Sequence, residues 1–265
     1  MNQLPKYKGI DVSLIVETAT NAAKAILEIY KSSFEVLLKE DKSPLTEADK
    51  QSNQIIETLL KKHFPKIPIL SEESKQIPFS ERKNWQQFWL VDPLDGTKEF
   101  INRNGDFTVN IALIENNKPV LGVVYIPVSH LCYIGILGEG AFKIEQGKTP
   151  LRIKKSTSNS FEELKLVRVV GSRSHLSTET IDFVNELKEQ GKDVVFVSRG
   201  SSLKLCLVAE GEADVYPRFG PTMEWDTAAA QAVVEAAGKR VIDSTTNKPL
   251  VYNKENLLNN WFLVQ

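Results

Sequence analysis

Apolar residues between positions 11 and 30 recur every three or four places: Val12, Ile15, Val16, Ala19, Ala22, Ala23, Ile26, Leu27 and Tyr30. That spacing predicts a long amphipathic helix opening the fold. A second helical pattern covers residues 46–63 and is closed by Pro65, which cannot extend a helix. Short strand-like runs follow: IPIL before Ser71, FWLV before Asp92, then FTVNIALIE and PVLGVVYIP on either side of Asn116-Asn117-Lys118. Two β-branched runs around a short Asn-rich turn predict a hairpin, and LCYIGIL and GAFKI continue the antiparallel pattern.

After residue 150 the order changes. LVRVVGSRSH reads as a strand and loop, SLKLCLVAEGEA as a helix, ADVYPR as a strand, residues 226–237 as a helix and WFLV as a closing strand. We therefore expect residues 1–150 to form an antiparallel-rich α+β half and residues 151–265 an α/β half. No Gly/Ser linker or internal repeat separates them, so a cleft between the halves is the expected place for a small ligand.

Composition narrows the function. At 265 residues and 42% hydrophobic, the chain can bury one large core or two joined tightly. Lys and Arg number 33 against 34 Asp and Glu, which leaves no broad basic surface for nucleic acid. A small anionic substrate held by a few local cations stays open. Cys132 and Cys206 match neither a zinc-ligand spacing nor a disulfide framework. They read as buried thiols, with a disulfide between them left open. The first residues lack the apolar stretch of a signal peptide, and no apolar run nears the ~20 residues of a membrane span. A cytoplasmic protein is expected.

Carboxylates carry the chemistry. In WLVDPLDGTKEF, residues 89–100, an apolar strand runs straight into Asp92-Pro93-Leu94-Asp95-Gly96-Thr97. Pro93 fixes its own φ and Gly96 permits a sharp turn, so two carboxylates meet at a strand end. Asp92, Asp95 and the Leu94 carbonyl are the oxygen donors that a hard cation such as magnesium takes. Asp-Pro and Asp-Gly are also ordinary turn formers. Ser71-Glu72-Glu73-Ser74 puts further acids at a strand end, or in a solvated loop. Asp226, in Glu224-Trp225-Asp226, is either a ligand or the N-cap of the next helix. Asp49 completes a Thr46-x-x-Asp49 capping box, or does more.

Taken together, WLVDPLDGTKEF and PTMEWDTAAAQAVVEAAG resemble the two signature segments of the inositol monophosphatase superfamily, and SEES resembles its glutamate motif. Order and spacing also match, so the resemblance covers nearly the whole chain. It implies a layered α-β-α-β-α sandwich and a phosphomonoesterase with two or three Mg2+ ions per site. By motif, Glu72 holds the first metal, Asp92 bridges to the second, and the Leu94 carbonyl completes the first. Asp95 and Asp226 hold the second, while Glu73 stands behind the ligands. Asp49 and Thr97 resemble the pair that orients and deprotonates the attacking water. The Gly96 and Thr97 amides add donors to the phosphate.

The substrate is suggested by three departures from the inositol phosphatases. DGTKEF stands where those enzymes usually read DGTTNF, GSRSH at 171–175 resembles a nucleotide-binding loop, and residues 200–226 resemble the bacterial 3'(2'),5'-bisphosphate nucleotidases. The implied substrate is adenosine 3',5'-bisphosphate, cleaved to AMP and phosphate in sulfur metabolism. Glu72, Leu94, Asp95, Gly96, Thr97, His175, Ser201, Lys204, Arg218 and Asp226 are the implied contacts. Lys204 also fits a surface position on an amphipathic helix, and Arg218 a pairing with Glu212 or Glu224. An inositol-1-phosphate or sugar bisphosphate phosphatase is the alternative within the fold. A non-catalytic regulator is disfavoured because every ligand position is filled. The resemblance further implies lithium inhibition and a monomer or homodimer. Bacterial members also associate peripherally with the inner membrane, although no basic amphipathic anchor stands out here.

Overall fold

The chain is described by a computed structural model covering residues 4–38, 44–74, 77–154, 161–172 and 177–265. Two short ladders, β1 (Lys6–Tyr7) with β2 (Ile10–Asp11) and β3 (Val36–Leu38) with β4 (Pro44–Thr46), flank α1 (Val12–Tyr30). α2 (Glu47–His63) follows, with β5 (Ile69–Ser71), α3 (Phe79–Arg82), β6 (Gln87–Asp95) and α4 (Thr97–Ile101). Then come β7 (Thr108–Glu115), β8 (Lys118–Ile126), β9 (Leu131–Ile136), β10 (Gly140–Ile144) and β11 (Leu151–Arg152). The sheet order is β11-β10-β9-β8-β7-β6-β5, antiparallel throughout except for the parallel β5–β6 pair.

The second part begins with β12 (Leu166–Gly171), which pairs in parallel with β13 (Asp193–Ser198) across α5 (Thr178–Glu189). α6 (Leu203–Glu210) and β14 (Tyr216–Arg218) lead into α7 (Glu224–Ala236). β14, β16 (Phe262–Val264) and β15 (Val241–Asp243) form an antiparallel sheet.

Both faces of the seven-stranded sheet are covered, which is why its strands read as nearly unbroken apolar runs rather than alternating ones. Trp89, Val91, Ile111 and Val123 face α1 and α2, where Ile15, Ala19 and Ile56 complete one core. Leu90, Ala112, Val124 and Tyr133 face α6 and α7 and build the second core with Cys206, Ala229 and Val233. Beyond α6 lie β12 and β14, and α5 closes the outside through Phe183, Val184 and Leu187. The layers run α-β-α-β-α. Cys132 and Cys206 are both buried free thiols. Among the described residues no helix is long and apolar enough to cross a membrane.

α7 belongs to the later part of the chain but lies on the sheet of the earlier part. Its seat is a stripe of small residues crossing four strands, because Ala112, Gly122, Gly135 and Ala141 are successive register partners. A methyl group at Gly122 would fall on the Ala229 carbonyl, and one at Gly135 on the backbone of Ala232. The stripe therefore lets helix backbone touch sheet backbone. Gly122→Ala should cost about 3 kcal/mol or more, at the upper end for overpacking, since backbone cannot move aside like a side chain. A urea unfolding midpoint equal to that of the wild type would contradict this packing.

Candidate active site

The end of β6 is irregular where the acids stand. Asp92 pairs with Asn110 and Asp95 with Thr108, so β6 carries one residue more than β7 over that interval. Such a bulge turns side chains that would otherwise alternate. Pro93 supplies no amide there, and its carbonyl accepts the Ser52 hydroxyl at 2.7 Å. Leu94 N–H folds back to Asp92 Oδ1 at 3.1 Å. Gly96, at φ 92°, makes the left-handed turn into α4.

Three other segments converge on this strand end. β5 runs parallel to β6, and Glu72 N–H donates to the Val91 carbonyl at 3.1 Å, which sets Glu72 beside Asp92. α2 delivers Asp49, whose Oδ2 accepts the Thr46 amide at 2.7 Å and the Thr46 hydroxyl at 2.6 Å. The capping box is therefore real, and the same carboxylate uses Oδ1 to accept the Thr97 hydroxyl at 3.2 Å. α7 delivers Asp226. Its N-cap is Met223, so Asp226 is not the cap itself; as the third helical residue it accepts the Met223 amide at 2.9 Å.

Burial dominates the electrostatics. It raises the Asp92 carboxyl well above the usual range, reinforced by the charges of Glu72, Asp95 and Asp226. Burial and then Asp95 push Asp226 up to about 8. Asp95 is also raised by burial, against the pull of Lys204 and the Ser202 amide. Lys204 is driven down to about 8 by its own burial, although Asp95 opposes this. The excess of buried negative charge fits a hard divalent cation with oxygen ligands. Glu72, Asp92, Asp95, Asp226 and the Leu94 carbonyl suit that donor set. Among the described residues the acids are not closed into a ready-made ligand cage. Magnesium characteristically keeps water or phosphate oxygens in its shell.

A cavity of about 400 Å³ opens beside the acids. Asp95, Asp226, Ser201, Lys204 and Arg218 all line it. Lys204 is only 6% exposed, so it is not a surface residue of α6; its Nζ donates to the Ser201 carbonyl at 2.7 Å. Arg218 Nη2 donates to the Pro221 carbonyl at 2.8 Å, while its buried Nε has no partner among the described residues. Glu224 is occupied elsewhere, by the amides of Asn253 and Lys254 and by the Lys254 ammonium. His175 lies outside the described residues. Glu73 is half-buried next to Glu72. Sequence reasoning passed over Thr108 and Asn110, both buried against Asp95. Their signal was two polar residues at alternate places in an apolar strand, hence on one face of it.

Residues 11–262 match the model of the inositol monophosphatase family. The chain is 46% identical over 253 residues to the 3'(2'),5'-bisphosphate nucleotidase CysQ of Escherichia coli strain K12, covering 94% of this chain and 97% of that one. It is 39% identical over 248 residues to the protein of the same name from Haemophilus influenzae, covering 93% and 89%. A crystal structure of CysQ from Bacteroides thetaiotaomicron superposes with a TM-score of 0.83 at 42% identity, over 96% of both chains.

The repulsion among these acids has a measurable sign. Folded Asp226 keeps its proton up to about pH 8, whereas an unfolded Asp loses it near ~4, so stability is full below ~4 and is lost as pH climbs through the folded value. In chelator, Asp226→Asn should melt higher than the wild type, by a margin that grows from about pH 5 to about pH 8. Equal melting temperatures across that range would contradict the assignment.

Proposed function

This chain belongs to the inositol monophosphatase family, and we propose that within it the protein is a magnesium-dependent phosphomonoesterase that removes the 3'-phosphate of adenosine 3',5'-bisphosphate. The products are AMP and phosphate. One cavity is lined both by the carboxylates of Asp95 and Asp226 and by the cations of Lys204 and Arg218, and this combination carries the proposal. A substrate with two phosphates uses both kinds of group. An inositol monophosphate would leave the cations without a partner. The identity with bisphosphate nucleotidases over nearly full lengths supports the same reading.

Glu72, Asp92, Asp95, Asp226 and the Leu94 carbonyl would hold magnesium, which when bound would acidify water and neutralise phosphate oxygens. The chain's own residues do the rest. The Thr97 hydroxyl donates to Asp49 Oδ1, so its lone pairs are left to receive a proton from the attacking water. That proton passes through Thr97 Oγ1 to Asp49, which the Thr46 bonds hold in place. The water oxygen bonds to phosphorus, the bond from phosphorus to O3' breaks, and O3' takes a proton from solvent. The Gly96 and Thr97 amides steady the transferred phosphate. Lys204, Arg218 and the Ser201 hydroxyl hold the 5'-phosphate, and the unpartnered Arg218 Nε is the donor most in need of it. His175 is assigned to the nucleotide on sequence resemblance.

Phosphate release with magnesium from adenosine 3',5'-bisphosphate, inositol 1-phosphate and fructose 1,6-bisphosphate tests this. The nucleotide should lead by at least about a hundredfold in kcat/KM, equivalent to about 2.7 kcal/mol of differential transition-state binding. Lys204→Ala and Arg218→Ala should each raise KM for the nucleotide far more than for the inositol ester. Equal rates on all three esters would refute the nucleotide assignment and leave a general phosphatase.

A further inference from the structure

Asp95 is held from a direction that the reaction itself does not explain. Among the described residues, three hydrogen bonds to its carboxylate fall on Oδ2: the Ser202 amide at 2.6 Å, Asn110 Nδ2 at 3.3 Å and the Thr108 hydroxyl at 3.4 Å. These donors come from two different places in the chain, the start of β7 and the entry to α6. The same atoms are bonded to one another. The Ser202 hydroxyl donates to Asn110 Oδ1 at 2.9 Å, and the Thr108 hydroxyl stands 2.9 Å from the Ser202 hydroxyl and 3.3 Å from that of Ser201. Thr108 is fully buried, and Asn110 and Ser202 nearly so.

A hydroxyl has one proton to give, yet Thr108 Oγ1 is surrounded by four oxygens, from Asp95, Asn110, Ser201 and Ser202. Where its proton goes depends on what each neighbour is doing. A cation held by Asp95 would fix its carboxylate, and with it the Oδ2 that accepts the Ser202 amide. Ser201, at φ 43° in the left-handed region, is a strained residue that needs such outside support. Lys204 in turn is anchored on the Ser201 carbonyl. Ser201 and Lys204, assigned above to the 5'-phosphate, are therefore tied to the carboxylate through one network.

We propose that Thr108 is a positioning residue, which with Asn110 ties the Asp95 carboxylate to the 200–202 loop so that magnesium and the 5'-phosphate each strengthen the binding of the other. The proposal rests on the nucleotidase reading above. Such coupling is reciprocal by thermodynamic necessity and needs a physical link between the sites, which this network supplies. AMP is the useful probe, because it carries the 5'-phosphate but no 3'-phosphate to touch the metal directly.

The experiment is calorimetric titration of the full chain with AMP, once in chelator and once in saturating magnesium. In the wild type, magnesium should tighten AMP by about tenfold or more, within the usual range for linked sites. Thr108→Val, which keeps the shape and removes the hydroxyl, should reduce that ratio to below about threefold, and Thr108→Ser should restore it. Should Thr108→Val fail to fold, Ser202→Ala removes the hydroxyl on the other side of the network and should lower the ratio likewise. A Thr108→Val or Ser202→Ala ratio equal to that of the wild type, or a wild type in which magnesium leaves AMP affinity unchanged, overturns the coupling while leaving the nucleotidase reading in place. A wild type that binds no AMP under magnesium overturns both.

Discussion

Like-charged carboxylates held together away from water are the constraint around which this fold is arranged. Asp92 is buried, Asp95 and Asp226 are half-buried beside it, and the three repel one another; none would stay there if its segment were free to move. Each is therefore fixed by backbone that cannot yield. Asp92 and Asp95 sit on a bulge within a strand buried on both faces. Glu72 is set by the parallel pairing of β5 to β6. Asp226 is set by α7, and α7 by the glycines beneath it. A packing device some distance along the sheet thus sustains an electrostatic one at the strand ends.

The same arrangement divides the work between the two parts of the chain. The earlier part supplies most of the acids and the Asp49–Thr97 pair; the later part supplies the cations and the last acid. Lys204 shows how tightly the two are joined. It is a buried ammonium whose charged form is supported most by Asp95, from the other part. Burial weakens its charged form, and a second phosphate would restore it. Anion binding and cation binding would thus each answer a charge that the folded chain leaves incompletely compensated.

Much of this was legible in the sequence, where local pattern and tertiary role agree. α1 and α2 emerged at their true positions because each buries one face, and the hairpin of β7 and β8 followed from its Asn-rich turn. WLVDPLDG displayed its acids because a strand end and a turn coincide there. Other features were hidden for physical reasons. α5 carries few apolar residues besides Phe183, Val184 and Leu187, since it covers a small outer core, and β13 exposes Val195 and Phe196. α6 is buried on nearly every side, so its sequence has no polar face against which Lys204 could be read as internal. α7 starts two residues earlier than its sequence suggested because Asp226 braces the helix from inside its first turn. The role of Thr108 depends on Ser202, 94 positions away, and no local pattern reports that.

If the clustered acids hold magnesium, the melting temperature of chelator-treated protein must change as magnesium is returned. A saturable rise is expected, since a ligand bound only by the folded state stabilises it by about 2.7 kcal/mol at a hundred times its dissociation constant. Asp92→Asn, folded but short of one carboxylate, should lose most of that rise. A wild type indifferent to magnesium, or an Asp92→Asn variant that responds equally, would rule out a magnesium centre at these acids.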